Sequence, residues 1–128
     1  MEYNQTRIIK LPKIFDPRGN LTVVEQHIHI PFSIEGIKWT HGMKNDQRNH
    51  GDTLKNYKFF VPLCGSFRIT TEENNSQQTF VLTHPDEGLL IVPGCSYTTH
   101  DFSKDAVYLE LSSAQEHTSS PNDIPSAK

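Results

Sequence analysis

The sequence lacks the features that would place this protein in a membrane, outside the cell or on nucleic acid. No apolar run in its 128 residues approaches the roughly 20 residues that a membrane span requires. The first residues, MEYNQTRIIKLPK, have neither an apolar core nor a small-residue cleavage site, and predict no secretory signal. Twelve Lys and Arg stand against 15 Asp and Glu, for a net charge of −3, with no basic stripe for a nucleic-acid polymer. These absences predict a cytoplasmic protein that binds neither membranes nor nucleic-acid polymers.

Cysteine is also scarce. Cys64 and Cys95 are the only two, and they do not form a CxxC motif. In a cytoplasmic chain both are expected to be reduced, so no structural disulfide is predicted. A cysteine nucleophile would need a nearby cation or base to activate its thiol, and the sequence cannot show one.

Helical periodicity is missing, and strand patterns dominate. No long window repeats apolar residues every 3.6 positions. Pro62 cannot donate to a strand ladder, so it marks an edge position or a bulge. Many short strands separated by turn residues predict a small all-β domain of the jelly-roll type, which can hold a ligand in its mouth. The predicted strands are TRIIKL, LTVVEQHI, YKFFVPL, two strands around the turn EENNSQ, GLLIVP and AVYLELS.

The C-terminal segment has a different composition from the rest of the chain. AQEHTSSPNDIPSAK contains one large aliphatic residue and no aromatic residue. Such a segment cannot bury enough apolar surface to offset the entropy lost on ordering. The sequence therefore predicts one folded domain over residues 1–113 and a polar, flexible tail over residues 114–128.

Three blocks of the sequence resemble a known family. They are DPRGNLTVVEQHIHIPFSIEGIKW, PLCGSFRI and GLLIVPGCSYTTHDFSKDAVYLELSS. In this order they are similar to segments of the WxcM-like cupins, which are dTDP-4-keto-6-deoxyglucose 3,4-ketoisomerases. The resemblance covers residues 16–113 nearly without gaps. It implies an all-β double-stranded β-helix, the RmlC-like jelly roll of the cupins, and a homodimer that often exchanges N-terminal strands.

The chain departs from this family where the family has its catalytic histidines. The family stretch is Arg-Gly-aromatic-His-Ala-His-Lys, at a fixed distance before a Gly-Ser turn. Counting back from Gly65 places Arg48 on the arginine and His50 on the aromatic residue. The two histidine positions then fall on Gly51 and Thr53. A one-residue slip of this loop would bring His50 to the first histidine position, but nothing supplies the second.

The family reaction moves a ketone from C4 to C3 of a sugar, which requires a base and a donor for the oxyanion. Gly51 cannot act and Thr53 is a poor base, so the family mechanism does not transfer intact. His50 is a candidate base if its side chain turns inward; the alternative is a solvated loop residue. His41 is expected to share the face of Trp39 and to point into the barrel, or to be a packed histidine with a satisfied hydrogen bond.

Two other departures change the predicted pocket. The family's Trp-His pair corresponds to Ser96 and Tyr97, and its paired tyrosines correspond to Lys38 and Trp39. Tyr97 is a candidate oxyanion donor or a platform for a base, with packing in the barrel wall as the alternative. Lys38 and Trp39 are candidates for substrate contact, and an exposed lysine is the alternative for Lys38.

Basic side chains are the candidates for the diphosphate of a nucleotide-linked sugar. Arg18 and Arg48 are predicted to bind it, because guanidinium forks match phosphate oxygens in pairs. Arg68 alternates with apolar neighbours and is expected to face the cavity. For all three arginines the alternative is a surface ion pair. His100, in the HDFS motif, is a further candidate for substrate contact, or else a turn residue that bonds its own backbone.

No metal or other cofactor is predicted. The pair His27 and His29 shares a strand face, but no third ligand follows at a suitable spacing. The family resemblance implies no metal either.

Two functions follow from these observations. One is a cytoplasmic, homodimeric isomerase for a nucleotide-linked 4-keto-6-deoxy sugar, with dTDP as the expected nucleotide and a rearranged active site. It would serve deoxysugar and surface polysaccharide synthesis. The other is a non-catalytic relative that keeps the fold and a nucleotide-sugar pocket. Both depend on a β cavity that retains cationic side chains.

Overall fold

The computed structural model describes residues 5–114, which form antiparallel strands and turns. One sheet has the order β1 (Arg7–Lys10), β9 (Glu87–Ile91), β6 (Lys58–Cys64), β11 (Val107–Ser112) and β4 (Gly36–His41). The second has the order β5 (Asn49–Gly51), β10 (Ser96–His100), β7 (Phe67–Glu73) and β8 (Ser76–Leu82). A two-stranded ribbon joins β2 (Lys13–Ile14) to β3 (Leu21–Thr22).

No helix in the described part of the chain could cross a membrane.

Aromatic rings fill the space between the two large sheets. The ring of Phe60 on β6 meets Tyr97 on β10 edge-on, with 5.2 Å between centroids. Phe67 on β7 stacks on Tyr108 of β11 at 4.6 Å. The face of each strand that carries these rings is therefore the interior face, because side chains alternate across a strand.

The β7–β8 hairpin confirms the predicted turn EENNSQ. Asn74 and Asn75 occupy its two central positions with φ of 53° and 65°, and Glu73 pairs with Ser76. A two-residue turn with both residues left-handed matches the twist of the strands, and asparagine tolerates this conformation better than most residues.

The predicted bulge at Pro62 is also present. β6 lies between β9 and β11, but its pairing with β9 extends only from Lys58 to Phe60. On the β11 side the register shifts between Val107 and Tyr108, and Tyr108 faces Pro62. Pro62, which has no backbone N–H to donate, therefore lies where the pairing of the strands is irregular.

The predicted strand LTVVEQHI is wrong beyond its first two residues. Only Leu21 and Thr22 pair as β3. The carbonyl of Glu25 then accepts hydrogen bonds from the N–H groups of Ile28 (3.2 Å) and His29 (3.0 Å). His27 has φ of 63°. Local turn bonds replace the ladder here, which a β-branched run does not reveal. The predicted tail, apart from Ala114, lies outside the described residues.

The two cysteines are free thiols in different environments. Cys64 is exposed and Cys95 is buried, and burial raises the pKa of the Cys95 thiol. Because the thiolate is the reactive form, we expect N-ethylmaleimide to label Cys64 at least about tenfold faster than Cys95. Mass spectrometry of the native protein measures both rates, with Cys64→Ser and Cys95→Ser as controls. Equal rates for the two thiols would contradict this expectation.

Candidate active site

A pocket of about 420 Å³ opens at one end of the space between the two sheets. Residues of both sheets line it, together with the loop that joins β5 to β6. Its size lies in the range of small-molecule sites. The lining residues are Lys38, His50, Gly51, Asp52, Thr53, Leu54, Lys55, Asn56, Tyr57, Lys58, Tyr97, Ser112 and Ala114.

Tyr97 occupies the space in front of Gly51. The two residues pair directly across β10 and β5. A Cβ atom at position 51 would lie 2.2 Å from Cζ and 2.6 Å from Oη of Tyr97. Any larger residue at position 51 would have to displace the ring. The observed position of Tyr97 therefore requires glycine at position 51. The phenol therefore stands beside the position to which the family resemblance assigns the first histidine.

A buried ion pair forms part of the pocket wall. Lys58 and Glu110 are only 5% and 4% exposed, and Nζ of Lys58 contacts Oε2 of Glu110 directly. Lys38 places its Nζ 3.6 Å from the same oxygen. On the other side, Nζ of Lys58 lies 5.8 Å from the ring centroid of Tyr97, within the range of a cation–π contact. One carboxylate thus contacts two lysines, and the phenol ring of Tyr97 lies near one of them.

His50 lies at the pocket but faces away from Tyr97. It pairs with Thr98 on β10, and Nδ1 of His50 shares a hydrogen bond of 3.1 Å with Oγ1 of Thr98. Paired residues share one face of a sheet and their neighbours face the opposite side. His50 therefore lies with Thr98 on the outer face and is exposed, whereas Gly51 and Tyr97 face inward.

The expectation that Trp39 and His41 point into the barrel is wrong. Trp39 is 62% exposed, and His41, on the same face of β4, is exposed as well. Neither residue lines the pocket. Lys38, the residue before Trp39, has the opposite orientation: it is paired with Glu110 and lines the pocket. The strand alternation was correct, but the interior face carries the lysine rather than the tryptophan.

Arg18 and Arg48 do not line the pocket in the single chain. The Arg18 side chain is 90% exposed, with Nε 3.1 Å from Oδ1 of Asp16. This contact lowers the pKa of the Asp16 carboxyl and raises the pKa of Arg18. Arg48 is exposed and directly precedes β5. The cations that do line the pocket are Lys38, Lys55 and Lys58.

Arg68 and His100 lie on the outer face of the second sheet. Arg68 is 51% exposed, with Nε 3.7 Å from Oδ2 of Asp101, so its predicted orientation toward the cavity is wrong. His100 is buried, and its Nε2 shares a 2.7 Å hydrogen bond with Oγ1 of Thr70. Its Nδ1 lies 3.3 Å from Oδ2 of Asp101, outside hydrogen-bond geometry. Neither side chain reaches the pocket.

Lys58 and Glu110 were not predicted as site residues, although the sequence contains a signal for them. Each is a single charged residue within an apolar strand, KFFVPLC for Lys58 and VYLELS for Glu110. Each also alternates in phase with an inward aromatic residue, Phe60 or Tyr108. Opposite charges on the interior faces of two apolar strands indicate a buried pair, because an isolated buried charge is too costly.

No three His, Cys, Asp or Glu side chains within residues 5–114 are grouped so that they could hold a metal ion.

The fold and the pocket between its sheets define a small cupin, and comparison with known families identifies which one. The family model described as "WxcM-like, C-terminal" (FdtA) matches residues 4–120. The chain therefore belongs to this family, which confirms the predicted resemblance and the RmlC-like jelly roll.

The relatives are sugar isomerases. The chain is 33% identical over 110 residues to TDP-4-oxo-6-deoxy-α-D-glucose-3,4-oxoisomerase of Aneurinibacillus thermoaerophilus, covering 85% of this chain and 79% of the relative. Among solved structures, the 3,4-ketoisomerase QdtA of Thermoanaerobacterium thermosaccharolyticum in complex with TDP has a TM-score of 0.82 and 29% identity, covering 91% and 85% of the two chains. The TDP-quinovose 3,4-ketoisomerase WlaRB of Campylobacter jejuni has a TM-score of 0.84 at 23% identity over 89% and 88%, a likeness of fold.

Proposed function

We propose that this protein is a sugar 3,4-ketoisomerase acting on a nucleotide-linked 4-keto-6-deoxyhexose, with dTDP as the nucleotide, in deoxysugar and surface polysaccharide synthesis. Two findings support this activity: the chain belongs to the family, and it is similar in sequence to the oxoisomerase relative over most of its length. The observation that carries it is the phenol of Tyr97 over Gly51, at the edge of a pocket of suitable size. A polar, proton-carrying group thus stands where the family resemblance places a histidine.

The reaction needs two proton movements and no net change in oxidation. A base removes the proton from C3, and the electron pair forms a C3–C4 double bond while the C4 carbonyl becomes an oxyanion. The proton of the C3 hydroxyl passes to the C4 oxygen, and protonation of C4 then gives the 3-keto product. Tyr97 is the inward-facing group that can donate to the oxyanion or carry a proton. His50, on the outer face, is the less suitable group.

The diphosphate is proposed to lie along the lysines of the pocket mouth. Lys38 is half exposed, and Lys55 is exposed on the loop between β5 and β6. Ammonium groups bind phosphate as point charges. These lysines replace Arg18 and Arg48 as our candidates, because within one chain the arginines do not line the pocket.

We also propose that the protein is a cytoplasmic homodimer. Exposed apolar side chains on the β2–β3 ribbon and on the outer face of the first sheet support association; they include Ile14, Phe15, Leu21, Ile37, Trp39 and Leu63. Two free thiols fit a reducing compartment.

The second candidate function is a non-catalytic nucleotide-sugar-binding or accessory cupin. The observation that favours it is the pair Gly51 and Thr53 at the positions that the resemblance assigns to the two histidines. Such a protein would bind dTDP without exchanging the C3 proton.

One NMR experiment separates the two functions. The protein is incubated with dTDP-4-keto-6-deoxyglucose in deuterated water, and loss of the C3 proton signal is followed. We expect exchange and formation of the 3-keto product by the wild type. Tyr97→Phe should reduce the rate by about 100-fold, the typical effect of losing one oxyanion donor, while His50→Asn should stay within about threefold, as expected for a residue outside the reacting face. Binding of dTDP without any exchange would establish the accessory function instead, and undiminished exchange in Tyr97→Phe would clear Tyr97 of the role.

A further inference from the structure

The buried lysine in the pocket wall is not explained by stability. Apolar residues of similar volume in place of a buried ion pair are often neutral or stabilising, because both charges must lose their water. Lys58 and Glu110 nevertheless lie on the neighbouring strands β6 and β11, where Lys58 is opposite Ser112 and Glu110 is opposite Phe60. The presence of a charged pair at this position therefore indicates a function that an apolar pair could not perform.

The position of Lys58 offers such a role. It lies on the pocket surface and stands 5.8 Å from the ring of Tyr97. The contact with Glu110 fixes Nζ of Lys58, so the ammonium group is held in place before any substrate binds. Lys38 approaches the same carboxylate oxygen at 3.6 Å, so Glu110 contacts both lysines. An ammonium group fixed at the pocket surface stabilises negative charge that forms on a bound substrate beside it.

We propose that Lys58 is a catalytic residue of the 3,4-ketoisomerase reaction, and that its ammonium group stabilises the enediolate by a hydrogen bond to the sugar oxygen that becomes negative. This inference rests on the proposed function and adds a residue to it. No covalent bond forms to Lys58. When the C3 proton leaves, its electron pair forms the C3–C4 double bond and the carbonyl pair moves onto the C4 oxygen; Lys58 stabilises that charge until the C3 hydroxyl proton passes to this oxygen. Pre-oriented donors in a site shielded from water are the strongest contributors to such steps.

The roles of the two lysines differ in this scheme. Lys58 is buried and fixed, whereas the Lys38 side chain is 53% exposed at the pocket mouth. Lys58 therefore acts on charge that develops during the reaction, and Lys38 acts on charge that the substrate already carries. Loss of the first should lower kcat, and loss of the second should raise KM.

The test replaces the whole pair, because removal of one partner alone strands a buried charge. In Lys58→Met/Glu110→Met we expect kcat to fall by about 100-fold or more, while the dissociation constant for dTDP, measured by calorimetry, changes less than about threefold. The matched control is Lys10→Met/Glu87→Met, which removes a Lys–Glu pair that is in register on β1 and β9, with side chains 84% and 26% exposed. It should keep both kcat and the dissociation constant. Lys38→Met should raise KM with kcat nearly unchanged.

The outcomes separate this inference from the proposed function. Full kcat in the double variant, with an active wild type, would overturn the role of Lys58 and leave the isomerase function intact. No C3 exchange by the wild type would overturn both. If the Met pair does not fold, Lys58→Gln/Glu110→Gln removes both charges with little change of shape and gives the same readout.

Discussion

Lys58→Met alone should lower the free energy of unfolding by about 3–5 kcal/mol, the cost of stranding one partner of a buried ion pair. Glu110 is 4% exposed, so without Lys58 its carboxylate would keep only the more distant Lys38 at 3.6 Å. Glu110→Met should cost a similar amount, because it removes the carboxylate that contacts the buried Lys58. Urea denaturation followed by tryptophan fluorescence and circular dichroism measures both values.

The double variant and the surface pair provide the controls. Lys58→Met/Glu110→Met should lie within about 1 kcal/mol of the wild type, because neither charge then remains buried. Lys10→Met/Glu87→Met should change the free energy of unfolding by less than about 0.5 kcal/mol, since exposed pairs contribute little. If the double variant loses as much stability as the sum of the single variants, the two side chains are not coupled as their contact indicates.

The fold was predictable because local sequence signals agree with it. The strands β6, β7 and β8, the Asn-Asn turn and the irregular ladder at Pro62 were all confirmed. The strand predicted beyond Thr22 failed because hydrogen bonds local to Glu25 and His29 override β-branched composition. Short strands such as Asn49–Gly51 exist only through pairing with β10, and a three-residue polar segment carries no signal of its own.

The site was only partly predictable. Tyr97 and Lys38 were identified through the resemblance, and both line the pocket. Trp39 and Arg68 were assigned to the wrong face, because alternation says which residues share a face but not which face is interior. Arg18 was chosen for its chemistry, whereas the turn DPRG pairs it with its own neighbour Asp16. Lys58 was overlooked, because a lysine within an apolar strand is usually exposed.

Gly51→Ala should reduce isomerase turnover by about 100-fold, the scale of losing one oxyanion donor, while the free energy of unfolding falls by less than about 1 kcal/mol, the low end of overpacking costs. The new methyl group would lie 2.2 Å from Cζ of Tyr97, so the ring must move. An open pocket of about 420 Å³ lies beside it and can receive the displaced phenol. Movement of the ring into the pocket therefore relieves the steric clash, but it also displaces the hydroxyl group of Tyr97.

Gly88→Ala is the matched substitution, because its methyl group would also lie 2.2 Å from Cζ of an aromatic ring, that of Phe59. Phe59 is fully buried in the core and does not line the pocket of about 420 Å³. We expect a loss of about 2–3 kcal/mol in the free energy of unfolding, the upper range for overpacking, with unchanged turnover per folded molecule. Urea denaturation and the C3 exchange assay, applied to both variants, measure the two effects. Equal losses of stability, or full turnover in Gly51→Ala, would show that the glycine at position 51 does not serve to seat Tyr97.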